Sequence, residues 1–390
     1  MYDYIPAPER VKSDYYITCH YYPGWIKNGD AIFHTGMEEI KLYPDRKPLL
    51  GYYNENNPEV MDWEIKWACE HGINCFLFCW YRHKHNSGKP VTRKDLRLGH
   101  IIHDVYKKAK FKDYMDYAIM WECQPSWATV EDAADLTDNL IPFWVENYFS
   151  DAGYMKIDGK PVVYVYDPKM LVAAFGSAEK CAEGFALANE EIKKYGFDGI
   201  MFAFEQYRPD MAEIASLRSA GFDFTFQYGW YPEKPDVTEE MYKEYTETIC
   251  LPSDFVIDFQ QERIKERIEN FPGYCMFTNS VSRDATVKWL SNFGRTKLSN
   301  GELQWLLSHN EYKTLLSKCK AIIDTLPEGD IGRKYVVLDN WNEWGEGHFI
   351  SPCARNGFKY LQAVREVYTK CDNLPDYRTP EVLGFGPYED

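Results

Sequence analysis

The stretch that decides the fold is Pro58-Glu-Val-Met-Asp-Trp-Glu-Ile-Lys-Trp-Ala-Cys-Glu-His-Gly72, followed at once by Ile73-Asn-Cys-Phe-Leu-Phe-Cys-Trp-Tyr81. Its first part begins with Pro, repeats apolar residues at helical spacing and stops at Gly, as a helix does. The second part is a short apolar run, which is typical of a buried strand. A helix that leads directly into a strand is the unit from which parallel sheets are built.

The same alternation continues along the chain. Helices are expected at 178–196, 211–221 and 315–326, and eight strands at 16–22, 73–81, 117–122, 162–166, 200–204, 222–228, 274–279 and 335–340. Eight parallel strands close a barrel. The sequence therefore predicts a (β/α)8 TIM barrel in one α/β domain spanning 1–390, with a core of about 14–370, long βα loops and a C-terminal tail at 371–390.

Composition and charge narrow the range of functions. The formal net charge of −16 argues against a nucleic-acid partner, because such proteins cluster Lys and Arg on one face. Aromatic residues reach 16%, with 12 Trp and 30 Tyr. Aromatic rings stack on sugar faces as well as packing cores, so an oligosaccharide or polysaccharide is the expected partner.

Targeting and cofactor signals are weak throughout. The N-terminus lacks the pattern of a signal peptide and no apolar run reaches membrane-spanning length, so we expect a cytoplasmic protein with no membrane span. The eleven Cys are expected to be mostly buried free thiols. Phosphate-binding Gly loops and metal-ligand spacings are missing from the sequence, so no cofactor and no metal are expected.

Polar and aromatic residues gather where the predicted strands end, which is the catalytic face of such a barrel. Long connections at 23–58, 80–95 and 228–255, and the stretch 282–311, are expected to form cleft walls on that face, with Asn28, Gly29 and Asp30 in the first of them. The predicted substrate-binding residues are His20, Tyr22, Trp25, Trp80, Tyr81, Arg82, Trp121, Glu122, Tyr166, Glu205, Gln227, Tyr228, Asn279, Asn340, Trp341, Asn342, Trp344 and His348.

The eighth predicted strand passes straight into Asn340-Trp-Asn-Glu-Trp-Gly-Glu-Gly347. Glycoside hydrolysis commonly uses two carboxyl groups, one protonated and one ionised, which makes Glu343 and Glu346 the expected catalytic pair. Gly345 and Gly347 would let the loop bend and turn both side chains inward. An alternative interpretation is the acidic first turn of a helix.

Two further carboxyl groups follow other strands. Glu122 and Glu205 end the third and fifth predicted strands, and Glu343 could pair with one of them instead of Glu346. The histidines His20, His83, His85 and His348 lack metal-ligand spacing on a helix and are expected to lie at the surface or against substrate.

Several of these segments resemble the glycoside hydrolase family 99-like proteins, a group also called the WbsX-like glycosyltransferase family. The similar segments are His20-Tyr-Tyr-Pro-Gly-Trp25, Gly51-Tyr-Tyr-Asn-Glu-Asn-Asn-Pro-Glu-Val60 with the strand that ends at Tyr81, Gly159-Lys-Pro-Val-Val-Tyr-Val-Tyr-Asp167 and Trp341-Asn-Glu-Trp-Gly-Glu-Gly347. The last block is the most specific. The chain departs from the characterised hydrolases at Gly345, where they have His, and at Ser351 before Pro352, where they have an acidic residue.

The resemblance implies a (β/α)8 fold and retaining, endo-acting hydrolysis of α-mannosides. It also implies that Glu343 deprotonates the sugar 2-hydroxyl, giving an epoxide-like intermediate, and that Glu346 is the general acid and then the base. Two alternatives stay open at this point. One is a glycosyltransferase of surface polysaccharide (O-antigen) biosynthesis, and the other is a non-catalytic carbohydrate-binding barrel.

Overall fold

A computed structural model describes residues 3–26, 37–206, 210–241, 250–287, 303–371 and 373–389. Eight parallel strands form its centre. They are β1 Tyr16–Tyr21, β2 Cys75–Arg82, β3 Asp116–Trp121, β4 Lys160–Val165, β5 Met201–Glu205, β6 Phe224–Phe226, β7 Phe277–Ser280 and β8 Tyr335–Asp339. All eight predicted strands are confirmed, with ends within three residues of the predicted ones.

The strands lie in the order β6-β5-β4-β3-β2-β1-β8-β7. β1 sits between β2 and β8, with Cys19 opposite both Phe76 and Leu338. The two ends of this sheet meet at Thr225, whose N–H donates to Tyr274 O at 2.9 Å and whose carbonyl accepts from Met276 N at 2.9 Å. These bonds close the barrel, so every carboxyl end of a strand faces the same rim.

Helices cover the outside of the barrel. The α-helices are α1 Pro58–Glu70, α2 Ile141–Trp144, α3 Pro168–Phe175, α4 Ala178–Lys193, α5 Met211–Ser219, α6 Ser253–Asn270, α7 His309–Ile323, α8 Ile331–Lys334 and α9 Lys359–Tyr368. Turns of π-helix at Ile101–Val105, Asp135–Leu140 and Val145–Phe149 add to this layer. The predicted helices at 178–196, 211–221 and 315–326 are present as α4, α5 and α7.

Helix α1 begins and ends at residues that favour a helix start and a helix stop. The side chain of Asn57 accepts a hydrogen bond from Glu59 N, and Pro58 occupies the first turn of α1. Gly72 then takes a φ of +91°, a conformation that a residue with a Cβ adopts only at a cost. The chain reverses there and enters β2, which is buried along its whole length.

The C-terminal segment packs beside α1. Trp67 Nε1 donates to Arg378 O at 3.3 Å, and Trp63 Nε1 donates to Tyr388 Oη at 3.2 Å. The rings of Tyr4 and Phe385 stack with their centroids 3.9 Å apart. Among the helices that the structure describes, none combines the length and apolar character needed to cross a membrane.

The long connections leave the carboxyl ends of β1, β2, β6 and β7. Asn28, Gly29 and Asp30 of the first connection lie outside the described residues, as do 242–249 of the connection after β6 and 288–302 of the connection after β7. The connection after β2 is described throughout. It carries a short strand, Leu96–Arg97, that pairs antiparallel with the end of β2.

Candidate active site

A cavity of about 230 Å³ opens at the carboxyl ends of the barrel strands. Its walls come from the ends of β2, β3 and β4 and from the connections after β1, β6, β7 and β8. Seven of its lining residues are predicted site residues, namely Tyr22, Tyr81, Glu122, Tyr166, Tyr228, Glu343 and Glu346, and the other four are Cys79, Gln124, Tyr231 and Arg283. Three carboxyl groups therefore share one enclosure, although they are up to 224 positions apart in the sequence.

The loop after β8 brings its two glutamates into this cavity by bending at Gly347, which has a φ of +70°. A Cβ at Gly347 would lie 2.1 Å from the backbone oxygen of Asp284, so only glycine fits. The bend is tied by hydrogen bonds from Gly347 N to Glu343 O at 3.0 Å and from Asp284 N to Glu346 O at 3.1 Å. The predicted sharp turn is thus present, at the second of the two glycines.

A buried arginine from the connection after β1 supports the same loop. Arg46 Nη1 donates to Trp344 O at 3.0 Å and to Asp284 O at 3.1 Å, and its Nη2 forms an ion pair with the Asp284 carboxylate. Although burial alone would raise the pKa of Asp284, Arg46 and nearby hydrogen bonds lower it below its usual range. The loops after β7 and β8 are therefore held together by a charge that is itself removed from solvent.

Glu346 lies among charged groups. Its Oε2 forms an ion pair with Arg283 and lies 3.1 Å from His348 Nε2. On the other side of the ring, His348 Nδ1 contacts Asp339 Oδ1. Burial alone would lower the pKa of His348, but Asp339 and Glu346 outweigh it and raise the pKa to about 9. His348 is therefore an imidazolium at neutral pH, and it donates to both carboxylates.

Glu122 is in a different environment. It is buried at the end of β3, and Gln124 Nε2 donates to its Oε2 at 3.0 Å. Burial raises the pKa of Glu122 to about 8, and hydrogen bonds from Gln124 and Cys79 offset only part of that effect. The cavity thus contains carboxyl groups in two different environments. Glu122 is mostly protonated near pH 7. Glu346 contacts two cations, Arg283 and His348.

Glu205 ends β5 and lines a second cavity of about 340 Å³. Burial raises the pKa of Glu205 to about 8 as well, while Tyr228 N donates to its Oε1 at 3.4 Å. The second cavity shares Tyr166 with the first and is lined in addition by Asp167, Pro168, Lys169, Gln206 and Glu213. The two cavities are neighbours on one rim.

Tyrosine hydroxyl groups make up much of the wall of the first cavity. Burial raises the pKa of Tyr81, Tyr166 and Tyr228 well above the ordinary value, so these hydroxyls stay protonated. Asn340 Nδ2 donates to Tyr228 Oη at 2.9 Å, and the rings of Tyr166 and Tyr228 meet edge to face at 5.4 Å. Such a wall offers hydroxyl donors and aromatic faces, which suit a polyhydroxylated ligand.

Other predicted site residues form hydrogen bonds that support the tyrosine-lined wall of the first cavity. The side-chain Oδ1 of Asn342 accepts a hydrogen bond from Tyr22 N at 2.9 Å. Its backbone oxygen accepts one from Trp25 Nε1 at 2.8 Å. Trp341 N donates to His20 O at 2.6 Å, and Trp344 Nε1 donates to Tyr53 Oη at 3.3 Å. These bonds join the loop after β8 to β1 and to the segment before α1.

His20, Gln227 and Asn279 lie inside the barrel wall. His20 Nε2 contacts Gln227 O at 3.2 Å, and Gln227 Oε1 accepts from Thr278 N at 3.3 Å, which links β6 to β7. Burial lowers the pKa of His20 to about 3, so its ring is neutral. All three side chains are buried, and they do not line either cavity.

The chain is similar to known proteins in both sequence and fold. The profile of the family described as "Glycosyltransferase WbsX" matches residues 42–364, which is most of the chain. The chain belongs to this family. An uncharacterized protein, WxcX, of Xanthomonas campestris pv. campestris is 23% identical over 347 residues, which cover 87% of this chain. The chain spans only 45% of the length of that relative.

Solved structures share the fold. A glycoside hydrolase-like protein is 16% identical with a TM-score of 0.60, covering 94% of this chain and 97% of its own. The GH99 endo-alpha-mannosidase of Bacteroides thetaiotaomicron is also 16% identical, with a TM-score of 0.54 and coverage of 90% and 96%. The predicted family and TIM-barrel fold are confirmed.

Three more predicted substrate-binding residues, Trp80, Arg82 and Trp121, line neither cavity. Trp80 donates from Nε1 to Tyr148 Oη at 2.9 Å and packs against Trp121 and Trp144. Trp121 Nε1 donates to Ala128 O at 3.1 Å. Successive side chains of a strand point to opposite faces, and Cys79 and Tyr81 take the cavity side of β2. We therefore assign Trp80, Arg82 and Trp121 to packing between barrel and helices.

Arg82 has a structural task of its own. Its guanidinium is fully buried and forms a bidentate ion pair with Asp135, both distances being 2.9 Å. It also donates to Asn86 Oδ1 at 2.8 Å and to the backbone oxygens of Asn86, Lys89 and Thr129. The pair fixes the connection after β2 against the segment that follows β3.

Four lining residues were missed by the sequence reasoning. Cys79 was interpreted as a core thiol, because its apolar run gives no sign of which face meets the cavity. Gln124, Tyr231 and Arg283 lie three to five residues beyond the ends of β3, β6 and β7. The signal that all three share is a polar side chain a few positions past a strand end.

Proposed function

We propose that this chain is a retaining, endo-acting glycoside hydrolase on an α-linked, mannoside-like polysaccharide or glycan, and that residues 1–390 form one catalytic domain. The observation that carries the proposal is the shared cavity into which Glu343 and Glu346 open, with tyrosine hydroxyls around them. Two carboxyl groups on one cavity are what glycosidic cleavage requires. The glycoside hydrolase-like barrel is consistent with this chemistry, although fold alone does not set activity.

The proposed roles follow the resemblance to family 99 enzymes. The Glu343 carboxylate takes the proton of the sugar 2-hydroxyl, the freed oxygen attacks C1, and the glycosidic bond breaks. Glu346 gives its proton to the departing oxygen. Water then adds to C1 as Glu346 removes its proton and Glu343 returns one to O2, so the epoxide opens with net retention. Tyr228 lines the same cavity as both glutamates and is suited to hold the sugar between them.

A substrate without the 2-hydroxyl tests this route directly. A 2-deoxy or 2-fluoro analogue should be inert if Glu343 acts on that hydroxyl, whereas its normal hydrolysis would contradict the epoxide-like intermediate. The same analogue should still bind, because the other hydroxyls keep their partners. Competitive inhibition by the 2-deoxy compound distinguishes a lost reaction from lost binding.

Glu122 is the second candidate for the acid. A general acid is most effective when it is protonated near the working pH, and the pKa of Glu122 is raised to about 8. In that arrangement Glu343 pairs with Glu122, and Glu346 keeps its contacts with Arg283 and His348. Substrates with excellent leaving groups need no acid, so the acid variant loses turnover on ordinary glycosides only.

Parallel kinetics of Glu346→Ala and Glu122→Ala on both substrate types separate the two assignments. The variant that lacks the acid should keep turnover on aryl glycosides with excellent leaving groups and lose it on natural ones. A variant with equal loss on both types lacks some other function. Glu346→Ala is expected to show the selective loss.

The second cavity supports a polymeric substrate. It adjoins the first across Tyr166 and offers a mixture of charged and amide groups in about 340 Å³. A chain bound across both cavities would have sugars on each side of the bond that is cleaved. This arrangement is what internal, endo-type cleavage needs.

Transfer to a sugar acceptor is the alternative that the family description favours. A transferase would use the same cavity but give its glycosyl group to a hydroxyl other than water. Release of reducing ends from a polysaccharide in buffer alone supports the hydrolase. Reaction that requires both an activated donor and an added saccharide acceptor supports the transferase.

A further inference from the structure

His348 contacts Glu346, which lines the first cavity, but His348 itself is not a lining residue. Its side chain is fully buried, whereas the Glu346 side chain retains 16% of its exposure. The ring is held at both nitrogens, with Nδ1 on Asp339 Oδ1 and Nε2 3.1 Å from Glu346 Oε2. A histidine fixed between two carboxylates has one orientation and one protonation pattern that satisfies both contacts.

The segment that carries these residues is built to keep the three groups in line. Asp339 is the last residue of β8, and Glu346 and His348 stand on either side of the bend at Gly347. The backbone pairs Glu343 with His348 across that bend. The bend thereby brings Glu346 and His348, which lie seven and nine positions beyond the end of β8, back towards Asp339.

Other elements also present charged or titratable groups to the ring. Those that face His348 from β1, from the connection after β6, from the connection after β7 and from its own loop are His20, Tyr228, Tyr231, Arg283, Asp339 and Glu346. The rings of Tyr228 and Tyr231 meet it edge to face at 5.5 and 6.1 Å. Burial and the charge of Arg283 act against a positive charge on His348, and the contacts with the two carboxylates outweigh them.

We propose that His348 is a positioning residue for Glu346: clamped by Asp339, its imidazolium donates a hydrogen bond to Glu346 Oε2 and supplies positive charge against which Glu346 binds and releases its proton. The catalytic part of this inference rests on the proposed function. Proton balance is simple, because His348 keeps both of its protons while Glu346 alternates between carboxyl and carboxylate.

The charge on His348 has a definite consequence for pH dependence. An imidazolium at hydrogen-bond distance favours the ionised form of a carboxyl group, by about 1 pH unit or more. Loss of that charge lets Glu346 keep its proton to higher pH. The alkaline limb of kcat/KM that reports Glu346 as an acid should therefore move up by about 1 pH unit in His348→Gln.

The coupling between the groups can be measured without a substrate. Histidine labelled with carbon-13 gives one titration curve for each imidazole, and the His348 signal is the one that disappears in His348→Gln. In the wild type this curve should have a midpoint near 9, as the pKa of His348 requires. The midpoint should fall by about 1 pH unit or more in Asp339→Asn and again in Glu346→Gln.

A midpoint at or below the ordinary histidine value of 6.5 would overturn the proposal, and so would a curve that Asp339→Asn and Glu346→Gln leave unchanged. His348→Asn identifies the His348 signal should His348→Gln not fold. His85→Gln is the matched control, because it removes an imidazole that is 69% exposed and lines neither cavity. It should alter neither the titration nor the pH profile.

The two failures are distinguishable. Coupled titration in a protein that turns over no glycoside would leave the His348 pair standing and refute the proposed hydrolase. Turnover whose pH profile is the same in the wild type and in His348→Gln would refute the role of His348 alone. A purely structural histidine would lower the stability of the variant without moving the alkaline limb.

Discussion

Replacing Glu122 by Gln tests whether the cavity holds a neutral carboxyl group. Burial raises the pKa of Glu122 from its ordinary 4.5 to about 8. Between these two pH values the folded protein keeps a proton that the unfolded chain has already released. The stabilisation is therefore complete below pH 4.5 and is lost as the pH rises through 8.

The size of the effect follows from the shift. Each pH unit in this window lowers the free energy of unfolding by about 1.4 kcal/mol, which gives about 4 kcal/mol between pH 5 and pH 8 as an upper value. Glu122→Gln cannot titrate and lacks this contribution. Its stability relative to the wild type should therefore rise with pH, even if the variant is the less stable protein at pH 5.

The assay is urea unfolding followed by tryptophan fluorescence at pH 5, 6, 7 and 8. Glu64 and Glu205 share the same kind of shift, so the quantity to compare is the difference between the variant and the wild type at each pH. Glu262→Gln, an exposed position on α6, is the control and should give a difference that does not depend on pH. Parallel wild-type and Glu122→Gln curves would refute a neutral Glu122 and remove it as a candidate acid.

Three further outcomes follow from the geometry. Arg82→Met should lower the free energy of unfolding by about 3 to 5 kcal/mol in urea titrations, because it leaves Asp135 buried without its partner; a loss below about 1 kcal/mol would contradict the structural task of this pair. Gly347→Ala should reduce kcat/KM about 100-fold by displacing the loop after β8. Gly329→Ala, with nothing within 4 Å of the added Cβ, should leave kcat/KM unchanged. Lys169→Ala should reduce kcat/KM roughly tenfold on long oligosaccharides and spare short aryl glycosides, and equal effects on both would exclude the second cavity from substrate binding.

Much of the fold could be predicted because it depends on local patterns. Helix α1 and strand β2 are predicted by a Pro, by apolar residues at helical spacing and by a Gly, all within 25 residues. The eight apolar runs then fix the strand count. The two short strands β6 and β7 were predicted too long, because Phe222 and Tyr274 continue the apolar pattern beyond the paired residues.

The candidate site could be predicted only in part. Residues next to the strand ends, such as Glu122 and Tyr166, were found because the barrel itself places them. The face on which a side chain lies depends on strand register, so position at the end of β2 alone does not distinguish Trp80 and Arg82 from Cys79 and Tyr81, which line the cavity. Arg46 and Arg283 come from connections whose paths leave no periodic signal in the sequence.

The most direct test of the central claim is the configuration of the first product. Time-resolved proton NMR of a purified α-mannan or an α-linked bacterial polysaccharide, taken before mutarotation, reports which anomer is released by the wild-type protein. A retaining reaction at Glu343 and Glu346 predicts internal cleavage with the α-anomer formed first. Initial formation of the β-anomer would contradict the account.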